Sequence, residues 1–180
     1  MSRLAIFVSG NGTNMENLVK AVRRGEVPGL GAELVVCDNP EAKAIERAKR
    51  LGVELELIER KKFVSKEAFE KEIIRWLERK QIDWIALAGF MRILSASFVR
   101  RYQRRIVNIH PALLPAFPGT HAILDAFKAG VPETGVTVHF VDEGIDTGPV
   151  ILQRKVPIVP GETIEALETK IHQIEYQLYP

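Results

Sequence analysis

The sequence predicts an α/β fold in a single domain, with a mostly parallel, twisted, Rossmann-like sheet flanked by helices. Short apolar runs alternate with amphipathic segments of helical period through most of the 180 residues, which is typical of parallel strands connected by helices. Near the C-terminal side, two strand-like runs follow each other without an intervening helix, which predicts an antiparallel hairpin at the edge of the sheet. No linker-like segment divides the chain, so we expect one domain.

The first two elements flank a glycine-rich turn. Residues 4–8 are a continuous apolar run, as expected for a strand buried on both faces, and residues 14–24 carry apolar side chains at helical spacing. Between them, Ser-Gly-Asn-Gly-Thr-Asn at 9–14 brings free N–H groups to a helix start, where anions bind. The turn is neither a Walker A loop nor Gly-x-Gly-x-x-Gly, so the residues alone leave a phosphate loop and a plain tight turn open.

Hydrophobic periodicity and turn residues predict the remaining elements. Runs of apolar or β-branched residues indicate strands, apolar stripes at helical spacing indicate helices, and glycines mark helix ends. The charges of the helix at 66–80 are expected to coat its outer face. The elements, in order, are a strand at 33–37, a helix at 41–51 capped by Gly52, a strand at 53–58, a helix at 66–80, a strand at 82–88, a short helix at 97–103, a strand ending near His110, a helix at 121–129 closed by Gly130, strands at 135–141 and 150–156, and a last helix from 162.

Composition narrows the classes of partner. The formal net charge is only +2, so nucleic acid is not expected as the main partner, while small anionic ligands remain compatible. Cys37 is the only cysteine, so no intramolecular disulfide can form, which fits a cytoplasmic location. The apolar run at the N-terminus is too short for a signal sequence or a membrane span, so we expect no membrane partner.

The segment 105–119 holds the strongest candidates for chemistry. Its strand carries Asn108 and His110 two residues apart, so both side chains lie on one face. Pro111 cannot donate to a sheet, so the strand should stop there and present a carboxamide and an imidazole at its end. Histidine can move protons near neutral pH, and asparagine can donate to an oxyanion. Asp146, on an acidic loop interrupted by glycines, can orient the imidazole and favour its charged form.

The other candidate residues are weaker indicators of function. No serine or cysteine stands in a recognisable nucleophile motif, and the four histidines are widely spaced without a His-x-x-x-His pair, so no metal site is predicted. His139 lies inside a strand, where we expect a structural role, whereas His121 at a helix start is ambiguous. The apolar segment 89–94 follows a strand at the edge where open α/β sheets bind ligands, so it is either core packing or part of a pocket.

Several motifs resemble those of the glycinamide ribonucleotide formyltransferases, folate-dependent enzymes of purine synthesis. The Leu-Leu-Pro segment and the Asp-Thr-Gly type of loop are shared by the wider group of folate formyltransferases. The Ser-Gly-Asn-Gly-Thr-Asn turn restricts the resemblance to the glycinamide ribonucleotide enzymes. The matching segments occur in the right order over nearly the whole chain, at 9–14, 88–94, 108–115, 117–121 and from 138–141 through 146–150.

The resemblance implies a reaction and a catalytic group. The amine of glycinamide ribonucleotide attacks the formyl carbon of 10-formyltetrahydrofolate, the cosubstrate, and gives formylglycinamide ribonucleotide and tetrahydrofolate. Asn108 and protonated His110 stabilise the tetrahedral oxyanion, and Asp146 holds His110. The proton passes from the amine to the departing folate nitrogen through ordered water, and no metal takes part.

The resemblance also implies two binding regions within one formyltransferase domain at 1–180. Phosphate binding is assigned to the half at 1–100, and folate binding and catalysis to the half at 101–180. The implied ribonucleotide ligands are Gly12, Thr13, Asn14, His172 and Glu175. The implied folate ligands are Lys66, Met91, Arg92, Ile93, Leu94, Asn108, Asp142, Glu143, Gly144, Ile145 and Asp146.

Two positions depart from the family pattern. Position 172 is His where relatives often carry Gln, so the phosphate contact there is expected to depend on pH. Lys66 stands where relatives often carry Arg, and lysine lacks the bidentate fork of a guanidinium group. The folate contact at Lys66 is therefore expected to be less specific.

Alternatives of two classes stay open. Another folate formyl enzyme, such as formyltetrahydrofolate hydrolase or an enzyme that formylates an aminoacyl-tRNA, would share several motifs. The hydrolase would normally carry an added N-terminal domain and the tRNA enzyme a basic C-terminal domain, and we expect neither here. A non-catalytic nucleotide-phosphate binding module would bind ligands without transfer. The sequence leaves open whether the protein forms a homodimer.

Overall fold

A seven-stranded sheet with six α-helices forms the protein, and the computed structural model describes residues 1–180. The strands are β1 (Ser2–Val8), β2 (Leu30–Cys37), β3 (Leu55–Leu57), β4 (Trp84–Leu87), β5 (Ile106–His110), β6 (Glu133–Phe140) and β7 (Val150–Pro157). The helices are α1 (Thr13–Arg23), α2 (Ala44–Leu51), α3 (Lys66–Arg79), α4 (Ala96–Arg101), α5 (Ala122–Ala129) and α6 (Ile164–Leu178).

One strand of the sheet, β6, runs opposite to all the others. Its strand order is β3-β2-β1-β4-β5-β6-β7. The first five strands in this order are parallel, while β6 is antiparallel to both β5 and β7. The predicted α/β class and the antiparallel hairpin at the sheet edge are therefore confirmed.

Two apolar cores lie on opposite faces of the sheet. Along β1, Leu4, Ile6 and Val8 belong to one core, and Ala5 and Phe7 to the other, because side chains alternate across a strand. The first core packs under α1, α2 and α6, and the second packs under α3 and α4. Burial on both faces explains why the parallel strands read as continuous apolar runs.

The element boundaries differ from the predictions in several places. The strand predicted at 53–58 contracts to Leu55–Leu57, and the strand predicted at 33–37 begins earlier, at Leu30. A short 3-10 helix at Arg60–Lys62 was not predicted. The expectation that charges coat the outer face of α3 is wrong for Glu70, which is buried and accepts hydrogen bonds from the backbone N–H and the hydroxyl of Ser95.

Helix α6 is anchored to the middle of the sheet just beyond its C-terminal end. The buried hydroxyl of Tyr179 lies 2.7 Å from the carbonyl oxygen of Leu87 and 3.1 Å from that of Val107. This residue therefore ties the end of α6 to β4 and β5. None of the helices has the length and apolar character needed to cross a bilayer.

Candidate active site

A cavity of about 530 Å³ opens at the edge where β1, β4 and β5 end. This is where open α/β sheets place their ligands. The structure brings most of the predicted site residues together around this cavity. Those that line it are Gly12, Thr13, Asn14, Met91, Arg92, Ile93, Leu94, Asn108, His110, Asp142, Gly144, Ile145, Asp146, His172 and Glu175.

Two of the predicted folate ligands do not line the cavity. Lys66 is the first residue of α3, and α3 packs on the face of the sheet opposite to α1, α2 and α6. Glu143 lies on the loop between β6 and β7, but its carboxylate forms an ion pair with Arg100 of α4 at 2.9 Å. The two predicted binding halves also share this one cavity, since Met91 and His172 both line it.

His110 is held at the end of β5 with both ring nitrogens facing oxygen atoms. Its Nε2 donates a hydrogen bond to the carbonyl oxygen of Phe117 at 2.8 Å. Its Nδ1 lies 3.6 Å from Oδ2 of Asp146. The side chain is only 5 % exposed. Because the Phe117 carbonyl fixes the Nε2 proton, Nδ1 is the nitrogen left for chemistry.

Asp146 lies between two histidines. Its Oδ2 accepts a hydrogen bond from the backbone N–H of Gly119 at 2.8 Å, and its Oδ1 lies 3.8 Å from Nε2 of His139. Its backbone has a φ of 55°, in the left-handed region that few residues other than glycine adopt. The loop therefore accepts an unfavourable backbone conformation at the position where the carboxylate meets the imidazole.

His139, which the sequence placed inside a strand, also lines the cavity. It pairs directly with Asn108 across β5 and β6, and opposite residues of an antiparallel pair place their side chains side by side. Its Nδ1 donates to the carbonyl oxygen of Phe140 at 2.9 Å. Its Nε2 lies 3.2 Å from Nδ2 of Asn108. Burial lowers the pKa of His139, which favours the neutral ring.

The glycine turn at the start of α1 leaves backbone donors free. Gly12 occupies the N-cap position with a φ of 77°, and no side chain caps the helix. A Cβ atom at Gly12 would lie 2.6 Å from Cβ of Ala44, so the turn needs glycine for space as well as for conformation. Neither Thr13 nor Asn14 caps the helix through its side chain, and the first N–H groups of α1 remain available to an anion.

A polar cluster from α6 meets this turn. Asn14 donates from Nδ2 to Oε2 of Glu175 at 3.0 Å, and His172 donates from Nδ1 to the same oxygen at 2.9 Å. The hydrogen bond that His172 donates to Glu175 raises the pKa of His172, because it favours the charged ring. The Oδ1 atom of Asn14 is buried and lacks a hydrogen-bond partner within the protein. The cluster therefore places an imidazole whose charged form is favoured, and an unused acceptor, beside the helix N-terminus.

Part of the cavity lining is apolar. Met91, Ile93 and Ile145 are large apolar residues that are more than half exposed. The loop that carries the first two is fixed by Ser9, whose hydroxyl accepts from the backbone N–H of Met91 at 2.8 Å. Arg92 forms an ion pair with buried Asp38 at 2.6 Å. Exposed apolar groups beside backbone polar groups suit a flat heterocyclic ligand.

Sequence reasoning missed two backbone groups of the site as well as the position of His139. The carbonyl of Phe117 and the N–H of Gly119 hold His110 and Asp146, respectively, and backbone groups carry no sequence signal. For His139, the signal was the pairing register, since a strand antiparallel to β5 can place a residue beside Asn108.

Comparison with known proteins agrees with this geometry. The model of the family described as Formyl transferase matches residues 2–180. The chain belongs to the formyl transferase family. A phosphoribosylglycinamide formyltransferase of Bacillus subtilis is 45 % identical over 180 residues, which cover 100 % of this chain and 92 % of that protein.

Two further relatives show how widely this formyl transferase domain occurs. The crystal structure of glycinamide ribonucleotide transformylase 1 from Geobacillus kaustophilus matches with a TM-score of 0.97 and 59 % identity, covering 100 % of this chain and 95 % of that chain. A trifunctional purine biosynthetic protein of Drosophila melanogaster is 43 % identical over 99 % of this chain, which corresponds to only 13 % of that protein. The formyl transferase domain thus also occurs within a much larger protein.

Proposed function

We propose that this formyl transferase moves the formyl group of 10-formyltetrahydrofolate to the amine of glycinamide ribonucleotide, in the synthesis of purine nucleotides. The Bacillus subtilis relative is named a phosphoribosylglycinamide formyltransferase, the Geobacillus kaustophilus structure is named a glycinamide ribonucleotide transformylase, and phosphoribosylglycinamide is glycinamide ribonucleotide. The observation that carries the proposal is one cavity lined by the N-terminus of α1, by exposed apolar side chains and by Asn108, His110 and Asp146. The geometry suits a phosphorylated amine and a folate that meet at the catalytic group.

The phosphate of the ribonucleotide would bind at the N-terminus of α1. The free N–H groups of Thr13 and Asn14 and the helix dipole favour a negative group there. His172, with its raised pKa, adds a positive charge, and Oδ1 of Asn14 can accept a hydrogen bond from a hydroxyl of the sugar. Glu175 orients both side chains.

The pterin ring of the folate would lie against the loop at 91–94 and the loop at 142–146. Met91, Ile93 and Ile145 supply apolar contact area, and the backbone groups of both loops can bind the polar edge of the ring. The loop at 142–146 is preformed, since Oδ1 of Asp142 accepts hydrogen bonds from the N–H of Gly144 and the hydroxyl of Thr147. Lys66 and Glu143 would contact only a part of the folate that extends beyond the cavity.

Catalysis follows from the positions of the three polar side chains. The amine nitrogen of the ribonucleotide forms a bond to the formyl carbon, and the carbonyl oxygen becomes an oxyanion. An N–H of Asn108 and the Nδ1 side of His110 stabilise that oxyanion, and Asp146 balances the charge of the imidazolium. The bond between the formyl carbon and the folate nitrogen then breaks, and the proton lost by the amine reaches that nitrogen through water. These steps use no metal ion.

A spectrophotometric assay tests the proposal. The protein is mixed with a 10-formyl folate analogue, and the deformylated folate is followed with and without glycinamide ribonucleotide. Release that requires the ribonucleotide supports transfer. Release without it would instead support formyltetrahydrofolate hydrolase activity, and no release from folded protein would contradict both. The proposal places the reaction in the cytoplasm, on small molecules rather than on nucleic acid or a membrane.

A further inference from the structure

Asn108 can stabilise an oxyanion only when its amide points the correct way. The amide group carries a donor, Nδ2, and an acceptor, Oδ1, and a half-turn about its last bond exchanges them. With the donor toward the formyl oxygen, the side chain stabilises the developing charge. With the acceptor there, the side chain repels that charge. The catalytic arrangement therefore needs a neighbour that distinguishes the two orientations.

We propose that His139 is a positioning residue that fixes the amide of Asn108 through a single ring tautomer. This inference rests on the proposed function, because the role of Asn108 is the one assigned there. The neighbouring strands place the two side chains directly opposite each other, with Nε2 of His139 at 3.2 Å from Nδ2 of Asn108. No other hydrogen bond to the side chain of Asn108 is found within the protein.

The tautomer of His139 follows from its other hydrogen bond. The carbonyl oxygen of Phe140, 2.9 Å from Nδ1, can only accept, so Nδ1 carries the proton. In the neutral ring, Nε2 then has a lone pair and must accept. Nδ2 of Asn108 is the donor it faces. One N–H of the amide is bound to His139, and the second is left for the oxyanion in the cavity.

Burial keeps the ring in the state that this role needs. The side chain of His139 is 3 % exposed, and the cost of burying a charge there lowers its pKa. Asp146 and Asp142, which face it from the loop after β6, act in the opposite direction, while His110 on β5 acts in the same direction as burial. A protonated His139 would present a donor to Asn108 and turn the amide, and it would compete with His110 for Asp146.

The first experiment is a double-mutant cycle, measured by steady-state kinetics on the whole chain. His139→Leu replaces the acceptor by an apolar side chain. The kcat should fall by about 10- to 100-fold, because an oxyanion donor is misplaced rather than removed, and the KM for each substrate should change little. In an Asn108→Ala background, the same substitution should change kcat by less than about twofold, because the group that it positions is absent. An additive loss in the double variant would overturn the proposal.

Two controls separate positioning from a general effect on folding. His139→Gln can place an oxygen acceptor near the Nε2 position and should keep kcat within about threefold of wild type. Thr134→Val alters another buried polar residue of β6, whose hydroxyl has no hydrogen-bond partner, and should leave kcat unchanged. A Gln variant as slow as the Leu variant would overturn the proposal.

A spectroscopic measurement applies even if the Leu variant fails to fold or the reaction proves to be different. The ¹⁵N chemical shifts of the His139 ring in the wild-type protein report which nitrogen carries the proton. A protonated Nδ1 and an unprotonated Nε2 at neutral pH are expected. A proton on Nε2 would overturn the proposal whatever reaction the protein catalyses, whereas failure of the wild-type formyl-transfer assay alone would count against the proposed function.

Discussion

Nδ1 of His110 lies 3.6 Å from Oδ2 of Asp146, while Nε2 of the same ring donates to the carbonyl oxygen of Phe117. The distance to the carboxylate is longer than a hydrogen bond, and catalytic contacts of this kind often shorten only when substrate binds. The ring is therefore held on one side by the backbone and is open on the side that faces the carboxylate.

Asp146→Asn should remove the negative charge of this side chain while keeping its shape. Asparagine tolerates the left-handed backbone conformation and can still accept from the N–H of Gly119, so the melting temperature should stay close to that of wild type. Without the carboxylate, nothing would balance the positive charge that the proposed mechanism develops on the His110 ring, and kcat should fall by about 10²- to 10⁴-fold. Steady-state kinetics together with thermal unfolding would check this, and an unchanged kcat would remove Asp146 from the catalytic group.

Asn108→Ala should remove one donor to the oxyanion. The expected loss in kcat is about 10²- to 10³-fold, with both KM values little changed, because the interaction forms mainly in the transition state. Asn17→Ala is the matched control, since its amide donates to the carbonyl oxygen of Tyr176 and does not line the cavity. The control should lose some stability and keep its kcat. Equal losses of kcat in both variants would contradict the assignment.

His172 should make ribonucleotide binding depend on pH. Its pKa is raised above 6.5 by the hydrogen bond to Glu175, so the ring stays charged at a higher pH than an ordinary histidine. The KM for the ribonucleotide should rise as pH increases through that raised pKa. His172→Gln should lose this dependence, and comparing the two proteins from pH 6 to 9 cancels the titration of the substrate. Parallel KM profiles would contradict a charged contact.

The raised pKa of His172 also makes the free energy of unfolding depend on pH. Because the pKa is higher in the folded chain, the contribution of the His172–Glu175 pair is fully present below the ordinary value of 6.5. That contribution is lost as pH rises through the raised folded pKa. Denaturant unfolding of wild type and His172→Gln at several pH values should show a stability difference that shrinks toward alkaline pH.

Gly12→Ala should damage both the turn and the phosphate site proposed there. A Cβ atom at this position would meet Cβ and Cα of Ala44 at 2.6 and 2.8 Å, in addition to the cost of a positive φ. Gly25→Ala is the matched control, because Gly25 has a φ of 75° but open space around its Cα. The control should lose about 1 kcal/mol of stability, and Gly12→Ala should lose more and also raise the KM for the ribonucleotide. Equal stability in the two variants would show that the contact with Ala44 is relieved easily.

The sequence allows the fold and most of the cavity to be predicted for physical reasons. Burial on both faces makes β1 a continuous apolar run, and the alternation of side chains places Asn108 and His110 on one face. The carboxyl ends of parallel strands share an edge, which brings the turn after β1 close to the end of β5. These relationships are local or follow from topology, so the residues themselves reveal them.

The parts that were not predicted depend on tertiary contacts. The position of His139 beside Asn108 depends on the register between β5 and β6, which a single sequence does not specify. Glu70 was expected on the outer face of α3 because it is charged, but it is buried where it binds the N-terminal end of α4 at Ser95. The support of His110 by the carbonyl of Phe117 depends on the path of a loop and leaves no trace in side-chain chemistry.

The left-handed backbone of Asp146 has a consequence for the evolution of this protein. Selection for thermal stability alone would not preserve aspartate at this position, because asparagine tolerates a φ of 55° and can keep the hydrogen bond from Gly119, while glycine adopts this φ without steric cost. Either change would discard the carboxylate next to His110. A laboratory selection that scores only folding should therefore lose aspartate at residue 146, whereas one that scores turnover should retain it. Position 146 would then serve as a marker that distinguishes populations evolved for robustness from populations evolved for activity.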